Sequence, residues 1–328
     1  MTEVGPWAAA ACYSVLLFFV LASTIRMRKY ANVPLGLRWE LYPVPGEAQR
    51  EHGGSFLEEN EWWEKPASVS KAAELKELFG EMLFIKRLYR SKRKVWYFSF
   101  LFHGGIYLIL GWFVLILAGG LTQLFLYPVS LAAWFAYPAL WSQLLFYLTV
   151  GFGYVGVAAG SVGALGLLAE RFGNGDTRDT SEPVDYFNLL FAFALLASGA
   201  AALVVDPSFN VARALMTYLV SGAGALAAFP SAYSGALSAL GAPQLVLQLG
   251  LLLAFVVYLP FTRLMHFFGK YFTYHKVLWD STPSMIGGRY NKKVGDRVGR
   301  NLTLSVPWAA AHIAGHANWK EVAKSDED

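Results

Sequence analysis

Residues 96–119, WYFSFLFHGGIYLILGWFVLILAG, run for 24 residues without an Asp, Glu, Lys or Arg. A stretch of about 20 apolar residues is long enough to cross the hydrocarbon core of a bilayer as an α-helix. Four other stretches are similarly apolar, at residues 7–25, 140–169, 187–205 and 243–268. The sequence therefore predicts an all-α integral membrane protein, a bundle of five transmembrane helices.

The composition of the chain agrees with a membrane protein. Hydrophobic residues make up 55% of the 328 residues and charged residues 15%, whereas soluble domains carry about 25% charge. These proportions exclude a disordered protein, a nucleic-acid-binding module and an ordinary soluble enzyme of this length. The single cysteine, Cys12, also excludes an internal disulfide, a cysteine-rich zinc site and an iron–sulfur cluster held by this chain alone.

The distribution of basic residues predicts the orientation of the spans. Of the 27 Lys and Arg residues, 26 lie in the loop between the first two spans, in the loop between the third and fourth, or from Arg263 onward. Only Arg213 lies in the alternate loops. Because cytoplasmic loops of membrane proteins gather Lys and Arg, we expect the N-terminus outside and the C-terminus inside.

Two segments outside the spans are long enough to carry structure of their own. Residues 71–89 predict an amphipathic helix whose apolar residues are Leu75, Leu78, Phe79, Leu83 and Ile85. A basic run follows up to Lys94, so we expect this cytoplasmic loop to lie on anionic lipid, to dock a cytoplasmic partner, or to do both. The predicted organisation is a first transmembrane helix (1–25), the loop (26–95), a four-helix transmembrane region (96–268) and a cytoplasmic tail (269–328). The apolar outside segment 207–242 is expected to lie on or in the outer membrane surface.

Two of the six histidines, His103 and His266, lie within predicted spans, where ionisable residues are rare and usually functional. His103 follows the interfacial Trp96 by seven residues, about 10 Å along a helix. His266 precedes the interfacial Tyr271 by five residues, about 8 Å. Two imidazoles at one depth of the inner leaflet are what bis-histidine ligation of a b-type haem requires. The alternative is a hydrogen-bonded contact between helices.

The residues around the two histidines support haem binding. Gly104, Gly105 and Gly111 leave room for a porphyrin, and Arg263 is one turn from His266, where it can pair with a propionate. For the glycines of the third span, close helix packing is favoured over a haem-facing wall. His275 replaces His266 as a ligand only if the helix lies in a lower register. His312 and His316 are expected to be solvated residues of the tail.

Two motifs resemble a known family. Phe102-His103-Gly104-Gly105-Ile106, followed by Gly111, resembles the second helix of the cytochrome b (gamma) subunit of respiratory nitrate reductase. Residues 261–266, FTRLMH, are similar to that subunit's last helix, and the five-span layout is similar too. The long loop 26–94 makes the membrane cytochrome b subunits of heterodisulfide-reductase-like and sulfate-reducer complexes the nearer comparison.

The resemblance implies two histidines on each of two helices, and here only one pair carries over. The second pair falls near Trp112 or Phe113 and at about Gln248, none of which is a histidine. The family therefore implies two haems, but the one pair that carries over here predicts a single haem b, ligated by His103 and His266.

The function implied by the resemblance is electron relay in a prokaryotic cytoplasmic membrane. The partners would be a quinone such as menaquinone and a cytoplasmic iron–sulfur subunit, within a quinol-linked oxidoreductase complex. Polar candidates for the quinone site are Asp206, Arg213, Gln244 and Gln248, although loop solvation and helix capping are favoured for them. The alternative function is a haem-free membrane anchor or small transporter. A self-contained oxidoreductase is disfavoured because no nucleotide-binding motif follows a strand.

Overall fold

The computed structural model describes residues 4–33, 44–46, 60–61, 64, 70–125, 140–221, 236–279, 286–304 and 318–324. The regular structure of these ranges is helical. The α-helices are α1 (Val4–Ala31), α2 (Lys71–Phe84), α3 (Lys86–Ser91), α4 (Arg93–Phe125), α5 (Leu140–Gly173), α6 (Gly175–Asp179), α7 (Pro183–Val205), α8 (Asn210–Ser221), α9 (Pro243–Tyr258), α10 (His266–Lys270), α11 (Lys276–Trp279), α12 (Arg289–Leu302) and α13 (Trp319–Lys324). His52, His312 and His316 lie outside the described residues.

Five helical segments among the described residues are long and apolar enough to cross a membrane. They are Pro6–Ala31, Arg93–Thr122, Leu140–Gly173, Pro183–Val205 and Pro243–Phe261. Large apolar side chains such as Leu17, Val114 and Val155 are more than half exposed on these helices, as lipid-facing residues are. The predicted all-α bundle of five transmembrane helices is confirmed.

The chain folds into two compact units. The first unit comprises residues 1–26 and 79–265, and the second comprises residues 27–78 and 266–328. In the first unit, α5 packs against α4 and α7, α7 packs against α9, and α8 packs against α4. The N-terminal half of α1 contacts α8 and the start of α9 through Ala8 and Cys12.

Glycines allow the close packing of α4 against α5. A Cβ atom added to Gly105 would lie 2.3 Å from the backbone nitrogen of Gly160, and one added to Gly163 would lie 2.3 Å from that of Phe102. Small residues let helix backbones approach in a membrane, where apolar side chains gain little by leaving lipid. The expectation that the third-span glycines serve helix packing is confirmed for Gly160 and Gly163.

The segment that follows α7 includes a short helix packed against the bundle. Helix α8 has 12 residues, too few to cross a bilayer. Its first turn is capped by Asp206, whose carboxylate accepts hydrogen bonds from the backbone N–H groups of Asn210 (2.8 Å) and Val211 (2.7 Å). Residues 222–235 of the predicted surface segment lie outside the described residues.

Two predicted helices end earlier than expected. The predicted continuation of the last span to Phe268 is wrong, because α9 ends at Tyr258 and two 3-10 turns follow at 259–261 and 263–265. Pro260 lacks an N–H and its ring prevents a regular α-helix here. The amphipathic helix predicted over 71–89 is likewise interrupted at Ile85, which has a φ of 49° and separates α2 from α3. Leu75, Phe79 and Leu83 are about half exposed.

The second unit joins the end of α1 to the segments that follow residue 265. Arg297 of α12 donates a hydrogen bond to the carbonyl oxygen of Asn32 (3.0 Å). Gly269 of α10 packs near the ring of Tyr30, since a Cβ atom at Gly269 would lie 3.6 Å from Tyr30 Cε2. A π-helical turn, Tyr271–His275, connects α10 to α11.

Candidate functional site

His103 lies on α4, partly buried, with its imidazole held by a backbone group. Its Nδ1 is 2.7 Å from the carbonyl oxygen of Ser99, one turn earlier. A carbonyl oxygen only accepts hydrogen bonds, so Nδ1 carries the proton and the lone pair of the neutral ring is on Nε2. Metal-binding histidines are oriented in this way, with the second ring nitrogen donating to a carbonyl or carboxylate. The donor set therefore fits an axial haem ligand.

The three glycines predicted to make room beside His103 differ in what they contact. A Cβ atom at Gly104 would meet nothing within 4 Å, so open space lies beside this residue. Gly105, in contrast, contacts the backbone of α5, and a Cβ atom at Gly111 would lie 2.8 Å from the ring of Phe152. Only Gly104 leaves space of the kind a porphyrin needs, and the other two glycines serve packing.

Aromatic side chains border the His103 imidazole. The ring centroids of Phe102 and Tyr107 lie 5.7 Å and 6.4 Å from that of His103. The hydroxyl of Tyr107 donates to the carbonyl oxygen of Met82 (2.7 Å), which ties the end of α2 to α4 within one turn of His103. The loop that precedes α4 therefore contributes to the surroundings of this histidine.

His266 is the first residue of α10 and the first residue of the second unit's later segment, and its side chain is exposed. It follows Phe261, where the last candidate span ends, by five residues. His266 was expected within the last span, and it lies beyond the end of the candidate span instead. The pairing of His266 with His103 on one iron stays a prediction.

His275, the alternative ligand, is buried in the second unit. Its side chain is 3% exposed, and its ring lies 4.5 Å from that of Trp279, measured between centroids. Burial and the positive charge of Lys270 lower the pKa of His275 to about 4, against a smaller opposing effect of Glu77. The imidazole is consequently neutral at physiological pH.

Arg263, the predicted propionate partner, forms ion pairs in the first unit. Its guanidinium lies 2.5 Å from a carboxylate oxygen of Glu182 and 3.5 Å from one of Asp185. Glu182 and Asp185 form a capping box at the start of α7, so this arginine is held against a helix terminus. Its contact with a propionate stays a prediction.

A largely apolar cavity of about 260 Å³ lies between α1, α4, α5, α7, α8 and α9 in the first unit. Its lining residues include the polar side chains of Trp112, Asp206 and Gln248. The hydroxyl of Ser198 donates a hydrogen bond to Oε1 of Gln248, and Gln248 lines the cavity. Nε1 of Trp112 is buried and has no hydrogen-bond acceptor among the described residues. A buried donor without an acceptor is costly, and a ligand that offers an oxygen atom removes that cost.

Phe209 forms part of the cavity wall from a strained backbone position. Its φ is 55°, in the left-handed region that residues with a side chain rarely occupy. Its ring lies 5.1 Å from that of Trp112 and occupies the space above Gly153, where a Cβ atom would be 2.2 Å away. Gly153 therefore makes room for Phe209 and also for Trp112 of α4, whose Cδ1 would lie 3.1 Å from a Cβ atom at this position.

The polar residues predicted for a quinone site have different environments. Asp206 caps α8, as favoured, and also lines the cavity with Gln248. Gln244 is exposed. Loop solvation is wrong for Arg213, because its side chain is 1% exposed and Nη1 lies 3.4 Å from Oδ1 of Asn210. Sequence reasoning treated Trp112 only as a position without a histidine and missed its buried N–H.

His103 and the cavity lie at different heights along α4. Trp112 follows His103 by nine residues, which corresponds to roughly 14 Å along the helix. The same helix thus holds the His103 imidazole at one level and lines the cavity with the Trp112 N–H at another.

Comparison with known proteins identifies the family of this chain. The family model of the nitrate reductase gamma subunit matches residues 87–280, more than half of the chain. No curated protein and no solved structure matches this chain. The matched region includes His103, Trp112, Gln248 and His266. Members of this family are membrane cytochrome b subunits that bind haem b and take part in electron transfer. The chain therefore belongs to the nitrate reductase gamma subunit family.

Proposed function

We propose that this chain is the membrane-anchoring cytochrome b subunit of a quinol-linked redox complex in a prokaryotic cytoplasmic membrane. It holds one haem b through His103 and His266 and links a membrane quinone to a cytoplasmic iron–sulfur subunit. The observation that carries the proposal is the His103 imidazole, whose Nδ1–H is held by the Ser99 carbonyl next to open space at Gly104. A bound haem would supply the reversible one-electron redox chemistry of this site.

The second axial ligand is proposed on the sequence. His266 ends the segment FTRLMH, which resembles the last helix of the family, and it lies inside the region that the family model matches. Its distance from Tyr271 along the chain is similar to that of His103 from Trp96. His275 is the competing ligand, since its neutral imidazole is the coordinating form.

The cavity beside Trp112 suits the head group of a quinone. Its walls are formed mostly by apolar side chains, which favour a ring and an isoprenoid tail. The indole N–H of Trp112 is available to donate to a quinone carbonyl, and the amide of Gln248 lines the same cavity. In the proposed orientation this end of the bundle faces the outside, away from His103.

The iron–sulfur partner is proposed from composition and charge. A chain with one cysteine supplies no cluster of its own. The loop and the tail carry most of the Lys and Arg residues, which the positive-inside rule places in the cytoplasm. A cluster-bearing subunit that docks there would lie on the His103 side of the membrane.

Haem stoichiometry of the purified chain tests the proposal. We expect a reduced b-type spectrum and one haem per chain by pyridine haemochrome. The variants His103→Ala and His266→Ala should each lose the haem, whereas the matched control His275→Ala should retain it.

Each departure from this result has a distinct meaning. Two haems per chain would contradict the single-haem proposal. No haem would favour the haem-free anchor or transporter. Retention of haem by both His103→Ala and His266→Ala would reject the proposed ligands, and loss in His275→Ala with retention in His266→Ala would assign the second ligand to His275.

A further inference from the structure

The second unit contains a pocket of about 250 Å³ whose lining is rich in basic side chains. Residues from separate parts of the chain meet there: Lys71 at the start of α2, Lys276 of α11, and Arg289 and Lys293 of α12. The four cations are up to 222 positions apart in the sequence. Their convergence is therefore a product of the fold and not of one basic run.

The positive charge of the pocket is only partly neutralised. Glu74, which is 6% exposed, lies 2.7 Å from the ammonium nitrogen of Lys71 and pairs with it. Lys276, Arg289 and Lys293 form no ion pair with any described residue. Like charges gathered around one cavity raise the free energy of the folded state, and an anion in the cavity lowers it.

The chemistry of these three side chains favours a phosphate group. A phosphate offers several acceptor oxygens, whereas a carboxylate offers two. The planar guanidinium of Arg289 matches two of those oxygens, and the ammonium groups of Lys276 and Lys293 act as point charges. The pocket volume also exceeds that of a phosphate ion, which leaves room for the organic group that carries it.

The position of the pocket in the chain favours a phospholipid as the carrier. Val33, which also lines the pocket, follows the first candidate span by two residues. Tyr271 and Trp279 line it too, and they follow the last candidate span by 10 and 18 residues. Tyr and Trp are enriched at the membrane–water interface, and basic pockets next to spans bind acidic lipid head groups.

We propose that this pocket binds the phosphate of an anionic phospholipid, with Lys276, Arg289 and Lys293 as its ligands. The site needs neither the haem nor the quinone, so it stands apart from the electron-transfer proposal. Inorganic phosphate offers the same oxygen atoms, and the two sources differ in whether an acyl chain contributes to binding.

Lipid retention by the full-length chain tests the proposal. The purified, delipidated protein would be incubated with vesicles of phosphatidylcholine and phosphatidylglycerol, and the retained lipid measured by native mass spectrometry. We expect the variant Lys276→Gln/Arg289→Gln/Lys293→Gln to retain at least tenfold less phosphatidylglycerol than the wild type. The matched control removes three exposed charges outside the pocket, Lys292→Gln/Lys320→Gln/Lys324→Gln, and should retain lipid normally.

Further measurements keep the test decisive. Circular dichroism checks that the triple variant is folded. If the triple variant is unfolded, the single variant Arg289→Gln, at an exposed position, replaces it and should show an intermediate loss of phosphatidylglycerol retention. Equal phosphatidylglycerol retention by both triple variants would overturn the proposal. Complete displacement of the lipid by millimolar inorganic phosphate would overturn the assignment to a phospholipid.

Discussion

Replacing Gly163 by alanine is predicted to separate α4 from α5 next to His103. The new Cβ atom would lie 2.3 Å from the backbone nitrogen of Phe102, whereas ordinary contacts begin at 3.4 Å. Backbone atoms inside a helix cannot rotate away, so the two helices must move apart by roughly 1 Å. Overpacking of this kind costs about 1–3 kcal/mol, and the better helix propensity of alanine offsets roughly 0.5–1 kcal/mol.

The assay compares thermal unfolding and haem content of detergent-solubilised protein. We expect Gly163→Ala to unfold at a temperature several degrees lower and to bind less haem, because Phe102 directly precedes His103. Gly151→Ala is the matched control, since it makes the same change on the same helix where a Cβ atom meets nothing within 4 Å. If the two variants unfold at the same temperature and bind equal haem, the proposed role of the α4–α5 contact is wrong.

Three further predictions concern the cavity, the cap of α8 and the second unit. Trp112→Phe, which removes the indole N–H, should weaken equilibrium binding of a short-tailed quinone about tenfold, and unchanged affinity would exclude this donor. Asp206→Ala should lower the free energy of unfolding by about 1 kcal/mol, as measured by denaturant titration, while Asp206→Asn should lower it less because an amide oxygen still accepts from Asn210. The pKa of His275 is about 4 in the folded protein, whereas an ordinary histidine has a pKa of 6.5. As the pH falls, the unfolded chain therefore binds the proton at a higher pH than the folded protein does. Stability is then complete above pH 6.5 and falls as the pH decreases toward 4, and melting curves of His275→Gln should lack this part of the pH dependence.

The elements that sequence reasoning identified correctly depend on local properties. A run such as 96–119 predicts a span because backbone groups in lipid must pair within their own helix. The glycines of the third span indicated close packing because a residue without a side chain lets a neighbouring helix approach its backbone. Helix capping was among the roles favoured for Asp206, which directly follows the apolar run 187–205, and Asp206 does cap α8.

The elements that sequence reasoning missed depend on neighbours distant in the chain. Arg213 was expected in solvent, yet burial against the bundle leaves its side chain 1% exposed. The left-handed backbone of Ile85 and Phe209 follows from the contacts around each residue, because neither residue type favours a positive φ. Pro260 explains the end of α9 at Tyr258, but the hydropathy pattern did not predict it because the apolar stretch continues past this proline.

By itself, the sequence determined the membrane as solvent, the five spans and His103 as a candidate haem ligand, because hydrophobic length and intramembrane ionisable residues are one-dimensional signals. Only the tertiary structure decided that the Trp112 N–H is buried at a cavity and that four distant cations share one pocket. Cavities and charge clusters are formed by several helices at once, so their composition depends on packing that no single segment encodes.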